Sequence, residues 1–175
     1  MTKTLNARLG FLAGFAICAG LLGYAYYLQY VEMQNPCPLC MVQRVAFYLL
    51  AAVFLVGALH GPRRGGIAAY GVLAFIVAAL GASVAARQVW LQSLPENMVP
   101  ACGPGLEYML KKFPLADVFT KVLTGSGECA EVTWRFLGLS IAGWSLVWLT
   151  LLGLFALLLA WRGRPAARSG GNVRG

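Results

Sequence analysis

Four apolar runs, each close to the length that crosses a bilayer, constrain this chain more than any other feature. They cover about residues 9–31, 41–59, 67–86 and 138–161. A helix needs about 17–25 residues to span roughly 30 Å of hydrocarbon. The first run carries no charge, and the second reaches full length only by including Met41 to Arg44. In lipid every backbone polar group has to be bonded within the chain, so such runs fold as helices. The expected fold is an all-α bundle of four transmembrane helices, with residues 1–175 forming one membrane domain. Charged residues make up only 11% of the chain, against about 25% in an average soluble domain.

The first run is longer than the roughly 7–15 residues of a signal-peptide core, and no A-x-A-like site follows it. Bulky Ile17 precedes Cys18 where lipoprotein processing wants a small residue. The run is therefore expected to stay in the membrane.

Charge sets the expected orientation. Lys3, Arg8, Arg63, Arg64, Arg162, Arg164, Arg168 and Arg174 fall at the two ends and in the connection 60–66, which four spans put on one side. The other side holds Arg44, Arg87, Lys111, Lys112, Lys121 and Arg135, together with every acid: Glu32, Glu96, Glu107, Asp117, Glu128 and Glu131. Basic residues in short loops mark the cytoplasmic face. Segments 1–8, 60–66 and 162–175 are thus expected in the cytoplasm, and loops 32–40 and 87–137 in the periplasm of a bacterial inner membrane. The net charge of +8 reads as an orientation signal. It forms no aromatic-interleaved basic patch, so nucleic acid is not expected as a partner. Tyr26, Tyr27, Tyr30, Trp90, Trp134 and Trp161 occupy belt positions at the span ends. Gly10 and Gly14 make a GxxxG, weak evidence in so glycine-rich a chain.

The long loop has a helical period. Leu106, Met109, Leu110 and Phe113 share one face, and after Pro114 the pattern resumes with Leu115, Val118, Phe119, Val122 and Leu123. Two short amphipathic helices lying at the interface are expected, with a small folded outer domain as the alternative.

Four of the five cysteines fall in these outer segments: Cys37, Cys40, Cys102 and Cys129. An oxidising compartment permits disulfides there. Cys18, inside a span, reads as a small buried apolar residue. Cys37-Pro38-Leu39-Cys40 stands where a loop turns into a helix, expected to begin near Cys40 because Asn35, Pro36 and Pro38 discourage helix earlier. A helix N-terminus favours thiolate. Arg44 follows Cys40 by one helical turn, just inside an apolar span, where a charge is functional by default. The opposing reading is a snorkelling arginine beside a structural disulfide. Cys102 and Cys129 are either a loop staple worth about 3–4 kcal/mol or an exchange pair, with Cys102 in an exposed Pro/Gly turn. Zinc fits poorly, since a second pair of ligands normally repeats the short spacing. No metal is expected.

With these residues in view, the chain resembles the disulfide bond formation protein B (DsbB) family over nearly its full length. The resemblance rests on P-C-P-L-C from Pro36 to Cys40, Gln43-Arg44, Cys102, G-E-C-A-E from Gly127 to Glu131 and W-R-F-L-G from Trp134 to Gly138. It implies that a DsbA-like periplasmic oxidase attacks a Cys102–Cys129 disulfide at Cys102. Freed Cys129 then attacks a Cys37–Cys40 disulfide at Cys37, and Cys40 interacts with ubiquinone or menaquinone near Arg44. One departure is Gln88, at a position where many members carry His. Glutamine can hydrogen-bond to a quinone but cannot titrate, and it also suits an ordinary polar span end. Two rivals remain in view. A vitamin K epoxide reductase type of oxidoreductase would carry its C-x-x-C on the last spans, and a non-catalytic protein would use its disulfides only as braces.

Overall fold

The computed structural model describes residues 2–62, 64–95, 114, 127–132 and 134–163. Four long helices dominate it: α1 (Thr2–Tyr30), α2 (Pro38–His60), α3 (Arg64–Gln92) and α5 (Ile141–Gly163). A single helical turn, α4 (Gly127–Ala130), and a hairpin of β1 (Arg135–Phe136) and β2 (Leu139–Ser140) precede α5. All four long helices are long and apolar enough to cross a membrane. No more than 33% of each apolar stretch is buried, so many apolar side chains stay at least partly exposed. Leu80, Leu151, Leu154 and Leu158 are among those exposed, which lipid accommodates and water would not. The molecule is a four-helix membrane bundle.

Packing runs α1 on α2, α2 on α3 and, most extensively, α3 on α5, while α1 and α5 touch little. Small residues make the α3–α5 seam. A Cβ at Gly71 would stand 2.7 Å from the Ala156 carbonyl oxygen and 2.8 Å from the Ala160 nitrogen, so the two backbones meet there. A Gly71→Val substitution is expected to cost about 1–3 kcal/mol through overpacking, read as a lower thermal midpoint in detergent. The glycines of the first span behave differently. Gly10 lies under Leu159 and Gly14 under the Phe54 ring, so each receives a large side chain instead of a neighbouring backbone. Cys18 is buried in the same core.

At the end of the bundle away from the other cysteines, α2 stops at Gly61 in the left-handed region (φ 55), ahead of Pro62. Arg8 Nε donates to the Ala58 carbonyl (3.0 Å), satisfying one of the acceptors a helix end leaves open. At the other end the helices outrun the apolar stretches. The third apolar run fades at Ala86, but α3 continues to Gln92.

The hairpin before α5 was not expected from the sequence. Its two-residue turn places Leu137 (φ 49) and Gly138 (φ 82) both in positive φ, the geometry that matches strand twist. Ser140 closes the unit by accepting from the Gly143 N–H (3.2 Å), capping α5, while donating to Gln92 Oε1 (2.6 Å) on α3. The two amphipathic helices expected on either side of Pro114 lie outside the described residues.

Candidate functional site

The site begins with how α2 starts. Proline lacks an N–H and has its φ preset, so it is well suited to the first helical position. Pro38 takes that position, so the helix opens two residues earlier than the start near Cys40 expected from the sequence: a proline discourages helix before it but suits its first position. Cys37 becomes the N-cap, with an extended backbone (φ −68, ψ 164), and its sulfur accepts the Cys40 N–H at 3.3 Å. Cys40 therefore occupies the first turn, among amide protons without helical partners. The two sulfurs lie 2.8 Å apart, within reach of a disulfide of about 2.05 Å.

Two amides meet this dithiol. Gln88, 2% exposed on the extension of α3, sets its Nε2 3.2 Å from Cys37 Sγ and 3.2 Å from Cys40 Sγ. Gln43, one turn beyond Cys40 and 3% exposed, donates from Nε2 to Gln88 Oε1 at 2.6 Å. Cys129 arrives from α4. It is 1% exposed and packs with Leu39 and Leu91, with Cys37 against the same cluster. Three of the four outer cysteines thus stand together. Cys102 lies outside the described residues.

That clustering has an electrostatic consequence for Cys37. Hydrogen bonding with the Cys129 thiol, then with the Cys40 thiol, and then burial hold the Cys37 thiol above the ordinary thiol range. A raised pKa means the proton is kept past the pH where a free thiol loses it, so alkylation should rise later with pH. In reduced protein, iodoacetamide labelling of Cys37 is expected to lag a free thiol across pH 7–9. Cys129→Ala should remove the largest cause and shift the profile toward lower pH, as peptide mass spectrometry would report.

Arg44 is half-buried and engaged by α1. Its guanidinium donates to Gln29 Oε1 and, at 3.1 Å, to the Ala25 carbonyl, with the Tyr26 ring centroid 5.2 Å from Cζ. This arginine is a cation fixed between two helices, at the edge of a cavity of about 800 Å³. Leu28, Phe47, Trp144 and Trp148 give that cavity apolar walls, while Cys37, Cys40, Gln43, Arg44 and Gln88 make its wall polar on the α2–α3 side.

Sequence reasoning named Cys37, Cys40, Cys129, Arg44 and Gln88, and all five fall here. It missed Gln43 as a site residue, and Gln29 and Tyr26 as partners of Arg44. Gln43 had a signal: a polar side chain inside an apolar span is costly unless it has work to do. The partners of Arg44 had none, because they depend on how α1 crosses α2.

Thiols grouped at a helix head, facing a cavity within a membrane bundle, are the equipment of a membrane-embedded thiol–disulfide oxidoreductase. Comparison with known proteins leads to the same place. A family model described as "Disulfide bond formation protein DsbB" matches residues 7–159. Three proteins named "Disulfide bond formation protein B" illustrate the similarity. The one from Hahella chejuensis is 55% identical over 161 residues, covering 91% of this chain and 96% of its own. The one from Nitrosococcus oceani is 52% identical, covering 87% and 90%. That from Xanthomonas campestris pv. campestris is 52% identical, covering 90% and 92%. The chain belongs to the DsbB family and is a disulfide bond formation protein of the membrane.

Proposed function

We propose that the chain oxidises a DsbA-like periplasmic thioredoxin-fold protein and delivers the two electrons to a membrane quinone, ubiquinone or menaquinone. Both termini lie in the cytoplasm of a bacterial cell, and the cysteine end opens on the periplasmic side of the inner membrane. The observation that carries this reading is the shared wall: Cys37, Cys40, Gln88 and Arg44 all line one largely apolar cavity.

A partner thiolate attacks Cys102 of a Cys102–Cys129 disulfide, and Cys129 leaves as a thiolate. Cys129 attacks Cys37 of the Cys37–Cys40 disulfide, and Cys40 leaves as a thiolate. The partner's second thiol displaces Cys102, which oxidises the partner. Cys102 then recovers Cys129 from Cys37, leaving Cys37 and Cys40 as the reduced pair. The contact of Cys129 with Cys37 supports attack at that sulfur rather than at Cys40.

The cavity fits a quinone head group in size, in its apolar walls and in offering N–H donors and a cation to oxygen. When bound, a quinone supplies an acceptor for two electrons and two protons, and the Cys37–Cys40 disulfide re-forms. Arg44 holds positive charge where negative charge develops, at a place where a low dielectric strengthens it. Gln88 donates hydrogen bonds to the sulfurs.

Arg44→Met is expected to lower kcat/KM for a soluble quinone by about ten- to a hundredfold, the scale of a charge-assisted contact. Partner exchange should survive, and loss of partner docking with intact quinone use would remove this role from Arg44. A photoreactive quinone added to purified protein should label the walls near Phe47 and Trp144; labelling confined to the opposite end of the bundle would contradict the reading. Orientation is checked in spheroplasts, where a membrane-impermeant thiol reagent should reach the reduced outer cysteines from outside.

A further inference from the structure

Gln43 has no part in the exchange chemistry, yet burying a primary amide inside an apolar span is costly unless it is hydrogen-bonded. Among the described residues its side chain bonds to Gln88 Oε1, at 2.6 Å. With that oxygen held by Gln43, the Gln88 nitrogen is the atom nearest the dithiol, 3.2 Å from each sulfur, while Oε1 stands 3.6 Å from Cys40 Sγ, where it can accept only from a protonated thiol. A primary amide has two N–H donors and the sulfurs are 2.8 Å apart, so one NH₂ group spans both. Sulfur in a disulfide or a thiolate has only lone pairs to offer. Turned the other way, Gln88 would set its carbonyl oxygen against them.

An amide rotates about its terminal torsion without steric change, so shape alone does not choose between the two orientations. In the arrangement seen, Gln43 presents its N–H to the Gln88 oxygen, which leaves the Gln88 NH₂ for the sulfurs. We infer that Gln43 is a positioning residue: its N–H holds the Gln88 amide so that the NH₂ group lies closer to the Cys37–Cys40 pair than the carbonyl oxygen does, 3.2 Å against 3.6 Å at Cys40. Gln88 touches the reacting sulfurs and is the catalytic group of the two; Gln43 acts through it. The inference rests on the reading that Cys40 releases electrons from this cavity.

Two variants test it in the full-length protein in detergent, with a small dithiol as donor and a soluble ubiquinone analogue as acceptor. Gln43→Met keeps side-chain length and removes the donor. It is expected to lower kcat about tenfold, since Gln88 is then free to turn. Gln43→Glu is the sharper case. Protonated, the carboxyl donates as Gln43 does; ionised, it only accepts and draws the Gln88 NH₂ away from the sulfurs. The titratable groups lining the same cavity are Cys37, Cys40 and Arg44 around α2, Tyr24 from α1 and Glu131 after α4, with Cys129 behind Cys37. All are shared with wild type, so the readout is the ratio of variant to wild-type kcat at each pH. That ratio should approach one at low pH and fall about tenfold as pH rises through the range where the carboxyl ionises. Recovery at low pH also shows that the variant is folded.

A Gln43→Met protein with wild-type kcat, or a Gln43→Glu ratio that is the same at every pH, would overturn the role of Gln43. If the wild-type protein itself reduces no quinone, the functional reading fails instead.

Discussion

Cys40→Ala is expected to abolish quinone reduction, by roughly a thousandfold or more, whatever dithiol supplies the electrons. The size follows from where Cys40 sits. It is the half of the dithiol in the first turn of α2, facing the cavity and bonded by the Gln88 amide. Without it no Cys37–Cys40 disulfide exists to receive or release electrons. A specific dead end should then appear. Cys37 touches the Cys129 thiol, so its thiolate can displace Cys102 from Cys129 and stop there. Non-reducing digestion and mass spectrometry of the variant should find a Cys37–Cys129 disulfide. Quinone turnover within tenfold of wild type would mean that electrons leave by another sulfur.

Cys129→Ala should have an effect as large, but only with one donor. In the proposed relay a protein partner enters through Cys102 and needs Cys129 as the leaving and relaying sulfur, so its turnover should fall by roughly a thousandfold. A small dithiol can enter the cavity and reduce Cys37–Cys40 directly, and this reaction should stay within about threefold of wild type. The donor dependence separates the relay from a brace. A cysteine that only held Leu39 and Leu91 in place would, when removed, affect both donors alike through loss of packing. Removing so small a buried side chain costs little by comparison, about 1 kcal/mol.

The membrane bundle was legible because it depends on composition over some 20 residues at a time, and lipid leaves a backbone few alternatives. The neighbourhood of Cys40 and Arg44 was legible because four residues make one helical turn. What sequence did not disclose depends on pairs far apart in the chain. Gln43 and Gln88 are separated by 45 positions, and their bond exists only because α3 runs past its apolar stretch to Gln92. Gln29 and Ala25 hold Arg44 because of the way α1 crosses α2. Cys129 reached Cys37 by the turn of α4, a four-residue element too short to carry a period. The hairpin escaped notice for the same reason, and because Leu137 occupies a turn position where Asn or Gly is the usual sign.

The proposal that sulfur chemistry at the head of α2 feeds a lipid-soluble acceptor can be put to one anaerobic titration. Purified protein at catalytic concentration is mixed with a known amount of reduced thioredoxin-fold partner and an excess of soluble quinone, with both products counted. One quinone should be reduced for each partner dithiol oxidised, through many turnovers, and none in the Cys40→Ala protein. Partner oxidation that stops after one equivalent of protein while the quinone absorbance stays unchanged would contradict the account.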